Sequence, residues 1–255
     1  MAKPKGERVD QALVRLRLVR SRHQAQELIK VGAVQIFGKP VSSPAASFTH
    51  ISEGDFKIAE HPLIQYVSRG GWKLQGALEK TKLVVENQVC LDIGISTGGF
   101  ADCLLQKGAL HVYGIDVGSE QLSPSLVGRE NLAVRERINA RDLTRPLLRS
   151  FDWPEEFDLV TVDCSFVSLE HILGRAGLLL KKNGRILALV KPQFEVGKQR
   201  LSRAGVVKDA ALFPLVEEKI RSVCQTLHLR VDDYFESEIE GSDGNQEFFV
   251  LATGA

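Results

Sequence analysis

From residue 83 onward the chain alternates short apolar runs with segments of helical periodicity, and this alternation constrains the fold more than any other feature. Val89–Ile93 predicts a strand, Gly99–Gln106 a helix and Leu110–Ile115 a second strand. Later segments continue the pattern, with strands at Phe157–Val162, Arg185–Val190, Leu229–Tyr234 and Glu247–Ala252 and helices at Leu169–Leu180 and about Asp209–Leu227. Repeated strand–helix–strand units predict an α/β fold with a doubly wound parallel sheet, and the last two strands predict a late antiparallel hairpin.

The composition fits a folded protein rather than a disordered or fibrous chain. Of 255 residues, 44% are hydrophobic and 25% are charged, so one sizeable core and a second small one can be buried. No apolar run approaches the roughly 18 residues that a membrane span needs. The first residues lack the apolar stretch of a secretory signal, and the four cysteines form no Cys-x-x-Cys pair. We therefore expect a cytoplasmic protein with reduced cysteines and no metal site.

The net charge of +1 conceals an uneven distribution. The first 39 residues carry nine lysines and arginines against three acidic residues, so the remainder is net acidic. A basic end on an acidic body is typical of a chain that binds a polyanion at that end, although a solvated helix face would have the same charge.

Residues 1–60 predict a small α+β domain. Ser21 is placed to cap the second of two short helices and Gly32 to end it, and strands are predicted at Val34–Phe37 and Phe56–Ala59. The helices are indicated by apolar spacing at Leu13, Leu16 and Val19 and at Ala25, Leu28 and Ile29. Basic side chains that cannot join so small a core are expected outside it, where they can contact nucleic-acid phosphates: Arg8, Arg15, Arg17, Arg20, Arg22 and Lys30.

Three motifs in this region resemble the S4-type RNA-binding domain, first described in a ribosomal protein. They are RVDQALV from Arg8, SRHQAQELIKVGAV from Ser21 and GKPV from Gly38. The resemblance covers about residues 7–60 and implies recognition of folded RNA by its shape and backbone. A helical cap without a role in RNA binding is the alternative.

Residues 61–82 are expected to form an interdomain linker, which leaves residues 83–255 for the larger domain. The segment contains two adjacent glycines, Gly70 and Gly71, beside Trp72 and Lys73. A tether has no need of a tryptophan, so this stretch is a candidate for part of a site. A hinge with Trp72 packed against the body is the alternative.

The loop after the first strand of the larger domain, DIGISTGGF from Asp92, predicts a cofactor site. Glycines between a strand and a helix allow a ligand to approach the backbone closely, and open parallel sheets bind ligands at the carboxyl ends of their strands. The loop has glycines at Gly94, Gly98 and Gly99, which is not the Gly-x-Gly-x-x-Gly pattern of dinucleotide sites. It also lacks Gly-Lys-Ser/Thr, so the sequence argues against both NAD and ATP.

Three aspartates give the predicted pocket its charge. Asp116 ends the second strand, where a carboxylate can accept hydrogen bonds from ribose hydroxyls. Together with Asp92 and Asp142 it makes the pocket negative, which suits the sulfonium of S-adenosylmethionine better than a pyrophosphate. Each aspartate alone would be more typical of a strand end or a turn. The interpretation therefore depends on their joint placement.

Asp163 and Lys191 follow two further strands and are expected at the same edge of the sheet. A lysine after a buried strand needs a partner, and Asp163 is the nearest strand-end carboxylate. We expect a second cation, Lys73, and partial burial to lower the pKa of Lys191 toward neutrality, so that it can act as a base on an alcohol. Such an alcohol would attack a methyl sulfonium in line. The 2′-hydroxyl of RNA fits the basic N-terminal region.

Segments along most of the chain closely resemble the TlyA (hemolysin-A-like) family. The resemblance runs from about residue 7 to residue 252 and rests on these motifs: SRGGWKL from Ser68, DIGISTGGF from Asp92, GIDVG from Gly114, NARDL from Asn139, VDCSFVSL from Val162, VKPQFE from Val190 and GNQEF from Gly244. It implies an S4-type domain joined to an FtsJ-like domain, with the Rossmann-like sheet of S-adenosylmethionine-dependent methyltransferases. The implied reaction methylates a ribose 2′-hydroxyl of 16S or 23S ribosomal RNA. The implied partners are ribosomal RNA or ribosomal subunits, with no membrane and no obligate protein partner.

The resemblance also assigns residues. The Lys-Asp-Lys-Glu tetrad of FtsJ-like enzymes falls on Lys73, Asp163, Lys191 and Glu247. Lys191 is expected to take or polarise the hydroxyl proton, Asp163 and Lys73 to orient it and set its pKa, and Glu247 to hold the ribose or Lys73. The cofactor motif falls on Asp92, Gly94, Ser96, Thr97 and Gly98, with Asp116 for the ribose and Asp142 for the adenine amino group. Ile95 stands where the family more often has a small residue, which affects the expected width of the pocket.

Several alternatives stay open on the sequence. Phe166 either borders the target nucleotide or simply packs, and a basic loop either clamps the RNA backbone or is only solvated: Lys198, Arg200, Arg203 and Lys208. The hemolysin name suggests a membrane-active protein, which no span, long amphipathic helix or export signal supports. An RNA-binding protein with a catalytically silent methyltransferase fold is a further alternative, against which the intact tetrad argues.

Overall fold

A computed structural model of the chain describes residues 6–19, 22–60, 62–241 and 243–254. The chain divides into two compact units between Trp72 and Lys73. This division falls inside a helix, Arg69–Thr81, and the expected linker at 61–82 therefore contains helical residues. The proposed boundaries at residues 60 and 82 stay a prediction.

The N-terminal unit is a small α+β structure. Its elements in chain order are β1 (Glu7–Arg8), α1 (Val9–Arg15), α2 (Arg22–Lys30), β2 (Val34–Ile36), β3 (Lys39–Pro40), β4 (Ser47–Phe48), β5 (Phe56–Ile58) and α3 (Pro62–Gln65). Strands β3, β2 and β5 form one antiparallel sheet, and β1 pairs with β4. Leu13 of α1, Leu28 of α2 and Val34 of β2 are fully buried in a common core. Packing of two amphipathic helices on a sheet thus stabilises the unit.

Helix α1 is shorter than its apolar spacing predicts. It ends at Arg15, so Leu16 and Val19 lie beyond it, although Val19 still packs in the core. Arg17 has a φ of 60°, which interrupts helical geometry. The predicted cap at Ser21 lies outside the described residues. Gly32 follows α2 with a φ of 72°, as expected where a glycine ends a helix.

The second unit is built around a seven-stranded sheet. Its elements are α4 (Arg69–Thr81, which crosses the division), β6 (Val89–Ile93), α5 (Gly99–Gln106), β7 (His111–Ile115), β8 (Leu132–Arg135), α6 (Arg145–Arg149), β9 (Phe157–Val162), α7 (Glu170–Gly177), β10 (Leu180–Val190), α8 (Phe213–Thr226), β11 (Leu229–Glu236) and β12 (Phe248–Gly254). The strand order is β11-β12-β10-β9-β6-β7-β8. Strands β8, β7, β6, β9 and β10 are parallel, whereas β12 is antiparallel to both β10 and β11. The predicted fold class, including the late antiparallel hairpin, is confirmed.

Some elements differ from the sequence prediction in extent. Strand β8 was not predicted, and α7 is shorter than the expected Leu169–Leu180 because Leu180 already pairs with Phe157 of β9. The pairing register of β10 with β9 shifts between Leu180 and Arg185. The residues between them are mostly polar, so the sequence does not predict that β10 begins at Leu180. Helix α8 begins at Phe213, after a 3-10 turn in which the Asp209 side chain accepts a hydrogen bond from the Ala211 amide.

The central strands explain where a site can form. Leu91, Val160 and Ala188 of β6, β9 and β10 are fully buried, as expected for parallel strands covered on both faces. The carboxyl ends of β6, β7, β9 and β10 lie at one edge of the sheet, where ligands of open α/β sheets bind. All four cysteines are free. Among the described residues no helix is long and apolar enough to cross a membrane.

Candidate active site

The loop from β6 to α5 has a backbone that only particular residues can adopt. Gly94 has a φ of 87°, and a Cβ there would lie 2.6 Å from the carbonyl oxygen of Asp163. Gly98, with a φ of 91°, occupies the N-cap of α5, where a Cβ would collide with Leu126. Ser96 between them also has a positive φ. Gly94 therefore allows the loop to lie directly against the end of β9, and Gly98 allows it to pack against Leu126.

Asp116, at the end of β7, fixes the other side of this loop. Its carboxylate accepts hydrogen bonds from the backbone amides of Ser96, at 2.8 Å, and Gly118, at 2.7 Å. The Ser96 hydroxyl in turn donates to Gln121 Oε1 at 3.0 Å. Asp116 thus organises the loop through both of its carboxylate oxygens.

A cavity of about 550 Å³ opens at this edge of the sheet. Gly94, Ser96 and Asp116, three of the predicted cofactor residues, line it together with Asp163. Thr97 and Asp142 are exposed and do not line the cavity, and Gly98 and Asp92 are buried beneath the loop. The NARDL motif contributes instead through its first three residues, 139–141. The cofactor roles of all seven residues stay predictions.

Asp92 is a fully buried carboxyl. The Thr161 hydroxyl donates to its Oδ1 at 2.9 Å, and its Oδ2 has no hydrogen-bond partner among the described residues. Burial raises the pKa of Asp92 to about 7, an effect that the Thr161 hydrogen bond opposes and the nearby Asp163 charge reinforces. This group can therefore change its charge near neutral pH.

Lys191 and Asp163 form the ion pair that the strand ends predicted. The Lys191 ammonium lies 2.7 Å from Asp163 Oδ1 and donates a hydrogen bond to the Ser165 hydroxyl at 2.9 Å. Ser165 was not among the predicted site residues, although it belongs to the VDCSFVSL motif. Two oxygens thus orient the ammonium at the rim of the cavity, which Asp163 and Ser165 both line.

The expected lowering of the Lys191 pKa is wrong for the free protein. Burial is the largest single effect and lowers it, but the charge and hydrogen bond of Asp163 together with the nearby Glu247 and Cys164 outweigh burial, and the pKa of Lys191 is raised. The second cation has little effect because Lys73 forms its own ion pair with Glu247. Both side chains of that pair are nearly buried, with 10% of Lys73 and 4% of Glu247 exposed. Burial raises the pKa of Glu247 despite the opposing lysine charge.

The four tetrad residues come together as two neighbouring ion pairs. Val190 pairs with Phe248 across β10 and β12, which places Glu247 beside Lys191. The Glu247 charge also contributes to the raised pKa of Lys191, as expected for close groups. The arrangement holds a charged ammonium and a carboxylate at the edge of a ligand-sized cavity. Its chemistry is therefore the polarisation and deprotonation of a bound hydroxyl.

Phe166 is exposed at the cavity mouth. Of its side chain 91% is accessible, its φ is 65°, and its ring lies 5.3 Å from the ring of Phe194. Phe166 therefore lies outside the core but contacts Phe194, and its place beside the target nucleotide stays a prediction.

Glu195 connects the two loops that bear Asp163 and Lys191, and sequence reasoning missed it. Its buried carboxylate accepts hydrogen bonds from the Ser168 hydroxyl at 2.7 Å and the Leu169 amide at 2.8 Å, and it pairs with Lys219 at 2.7 Å. The first of these loops ends at Ser168, and Glu195 follows Lys191 by four residues. The VKPQFE motif that contains Glu195 was the available signal.

Most of the predicted RNA-contacting cations are already paired within the N-terminal unit. Arg8 and Arg22 both pair with the buried Asp10, at 2.9 and 3.0 Å. Arg15 pairs with Glu7 and Lys30 with Glu27. Arg17 is exposed and forms no ion pair with the residues that the structure describes, and Arg20 lies outside those residues. These ion pairs leave the basic side chains at the surface but reduce the net positive charge of that surface. The role of the basic side chains in RNA binding stays a prediction.

The basic loop after β10 is hydrogen-bonded to the segment before β12 that contains Asn245 and Glu247. Leu201 and Val207 form an isolated antiparallel bridge, and the Val207 amide donates to Asn245 Oδ1 at 2.9 Å. The loop's four cations are exposed: Lys198, Arg200, Arg203 and Lys208. For these four cations, contact with the RNA backbone and simple solvation both stay predictions.

Comparison with known proteins decides the family. Residues 66–253 match the FtsJ-like methyltransferase model, and residues 7–47 match the S4 domain model. The chain belongs to the FtsJ-like methyltransferase family. The sequence-based resemblance to TlyA proteins is confirmed as well: the 16S/23S rRNA (cytidine-2′-O)-methyltransferase TlyA of Mycobacterium tuberculosis is 40% identical over 243 residues, which cover 95% of this chain and 88% of the relative.

Solved structures agree with this family assignment. A Streptococcus thermophilus protein that carries a hemolysin name superposes with a TM-score of 0.75 at 34% identity, covering 100% of this chain and 90% of that chain. An S-adenosylmethionine-dependent methyltransferase from Mesorhizobium loti has a TM-score of 0.51 at 12% identity, covering 71% and 97%. The second likeness shows the fold alone.

Proposed function

We propose that this protein transfers a methyl group from S-adenosylmethionine to a ribose 2′-hydroxyl of ribosomal RNA. The observation that carries the proposal is the Lys191–Asp163 pair, which lies at the rim of a ligand-sized cavity and is joined by the Lys73–Glu247 pair. The name of the Mycobacterium tuberculosis relative supports both the ribose 2′-oxygen as acceptor and ribosomal RNA as substrate. We also propose a cytoplasmic location, since ribosomal subunits are there.

The cavity residues fit S-adenosylmethionine. A volume of about 550 Å³ lies within the range of small-molecule sites. Gly94 leaves the loop backbone open to close approach, Asp116 presents carboxylate oxygens suited to ribose hydroxyls, and Asp163 adds a negative charge suited to a sulfonium. When bound, S-adenosylmethionine supplies an electrophilic methyl group on a positively charged sulfur.

The chain's own residues would act on the hydroxyl. The ammonium of Lys191, kept charged by Asp163, stabilises the negative charge that develops on the 2′-oxygen as its proton leaves. Asp163 is placed beside it to accept that proton. The deprotonated 2′-oxygen would then be the nucleophile toward the methyl group that bound S-adenosylmethionine would supply. Lys191 is thus assigned to polarise the hydroxyl rather than to act as a neutral base.

The test compares the wild-type protein with Lys191→Ala. Each is incubated with S-adenosylmethionine and ribosomal subunits that lack the modification, and 2′-O-methylated nucleosides are measured by mass spectrometry. We expect a new 2′-O-methyl mark with the wild type and none with the variant, whose calorimetric affinity for S-adenosylmethionine stays within a few-fold. A wild type that binds the cofactor but marks neither subunit, or marks only bases, would contradict the proposal.

A further inference from the structure

A second cavity, of about 410 Å³, lies at the opposite edge of the sheet from the cofactor cavity. We call it the amino-edge cavity, and its lining includes Lys82, Asp158, Asn183 and Arg185. Asp158 lies at the start of β9 and Asp163 follows its end. At about 3.3 Å per residue, the strand separates the two edges by roughly 17 Å. The amino-edge cavity is therefore distinct from the methyl-transfer site.

Three cations line the amino-edge cavity without a counter-charge. Lys82, Lys182 and Arg185 are exposed, and within the part of the chain that the structure describes none of them forms an ion pair or a side-chain hydrogen bond. The lining contains one acidic residue, Asp158. Its Oδ2 already pairs with Lys181 and accepts a hydrogen bond from the Val89 amide, at 2.8 and 2.9 Å. The cavity therefore has a net positive charge.

The backbone fixes where these cations stand. A Cβ on Gly184 would lie 2.8 Å from the carbonyl oxygen of Lys181 and 2.9 Å from that of Phe157, so the turn between Lys182 and Arg185 requires a glycine. Lys82 has a φ of 53° just beyond the end of α4, where a glycine is usual. The backbone positions of the three cations are therefore set before a ligand binds, so that only their side chains need to be ordered.

We propose that the amino-edge cavity binds phosphodiester groups of the RNA substrate. Clustered cations without partners repel one another in the free protein, and a polyanion removes that repulsion while it releases its own counterions. The guanidinium of Arg185 can hold a phosphate through two parallel hydrogen bonds, and the amides of Gln88 and Asn183 are further donors in the lining. Val84 is the single aliphatic side chain among the lining residues, which suits an anion better than an apolar ligand. The inference rests on the proposed RNA substrate.

The test replaces the three cations together, as Lys82→Gln, Lys182→Gln and Arg185→Gln. Binding of the full-length protein to unmodified ribosomal RNA is measured over a range of salt concentrations. We expect weaker binding at low salt and a slope of log affinity against log salt that is smaller by about 2, since each phosphate contact contributes about 0.7 to 0.9. Calorimetric affinity for S-adenosylmethionine should stay unchanged. A matched control, Arg129→Gln, Arg175→Gln and Arg230→Gln, removes three exposed cations from elsewhere on the same unit and should keep the wild-type slope.

Two results would overturn the inference. Equal slopes for the triple variant and its control would show that the cavity does not contact RNA. A second result would identify a site for a free anion instead. In that case the salt dependence of RNA binding would be unchanged in the triple variant, and inorganic pyrophosphate would raise the melting temperature of the wild type but not that of the variant. Failure of the proposed function is distinguishable, because in that case the wild type itself binds ribosomal RNA without salt dependence or leaves it unmethylated.

Discussion

Asp92 should make the stability of the protein depend on pH near neutrality. Its carboxyl is fully buried, and its pKa is raised from an ordinary value of 3.8 to about 7. When the pKa of a group is higher in the folded than in the unfolded state, the group contributes its full stabilisation at a pH below the unfolded pKa. That stabilisation is lost as the pH rises through the folded pKa. At about 1.4 kcal/mol per pH unit, the loss reaches about 4 kcal/mol above pH 7.

The substitution that isolates this effect is Asp92→Asn. Asparagine keeps the shape and can still accept the Thr161 hydrogen bond, but it does not ionise. The unfolding free energy of the variant minus that of the wild type should rise by about 2 kcal/mol between about pH 5.5 and 7 and then level off by about pH 8. Effects of the amide that do not depend on pH cancel within this change.

Urea unfolding followed by tryptophan fluorescence measures this difference. A Trp72→Phe background leaves Trp153, which is buried in the core of the second unit, as the reporter. Asp158→Asn is a matched control, because the ion pair with Lys181 helps to lower the pKa of Asp158 and that carboxylate is ionised throughout this range. A difference for Asp92→Asn that stays flat between pH 5.5 and 8 would refute the reasoning, since Asp92 would then be ionised and compensated in the folded protein.

Two other substitutions test the geometry of the site. Gly94→Ala should lower the unfolding free energy by about 1 to 2 kcal/mol because of the positive φ alone, and by more because the new Cβ would lie 2.6 Å from Asp163. It should also weaken cofactor binding, which calorimetry measures. The control is Gly128→Ala, at a φ of 79° with open space around it, which should show only the loss due to the backbone. Lys73→Met should lower the unfolding free energy by about 3 to 5 kcal/mol because it leaves the buried Glu247 uncompensated, and adding Glu247→Leu should restore most of that loss. These assignments would be contradicted if the two glycine variants lost equal unfolding free energy, or if Lys73→Met lost less than about 1 kcal/mol of it.

The sequence predicts the central sheet well because burial on both faces leaves a clear pattern. The observed bounds of β6, α5 and β9 coincide with the predicted Val89–Ile93, Gly99–Gln106 and Phe157–Val162. Strand β8, Leu132–Arg135, escapes prediction because it lies at the sheet edge with half-buried residues, and its apolar run of three residues is too short to indicate a strand. Two-residue strands such as β1 and β4 are set by pairing with distant residues rather than by local pattern.

The site is predictable to the extent that strand ends determine it. The meeting of Asp163 and Lys191 follows from the order of parallel strands. The pKa direction of Lys191 does not, because it depends on the balance between burial, which lowers the pKa, and the nearby acidic groups, chiefly Asp163 and then Glu247, which raise it. The ion pairs of Asp10 with Arg22 and of Glu7 with Arg15 likewise join residues of different elements, which the local sequence pattern does not show. Composition shows the cations but not how many of their charges are already compensated.

The most direct test of the account asks which atom receives the methyl group. After the modified nucleotide has been mapped with the wild-type protein, the same RNA is prepared with a 2′-deoxyribose at that one position, and transfer of labelled methyl from S-adenosylmethionine is measured on both RNAs. The account predicts transfer to the natural RNA and none to the deoxy-substituted RNA, with binding of the two RNAs alike. Undiminished transfer to the deoxy-substituted RNA would contradict it, because the acceptor would then be a base and the Lys191–Asp163 pair would not act on a 2′-hydroxyl.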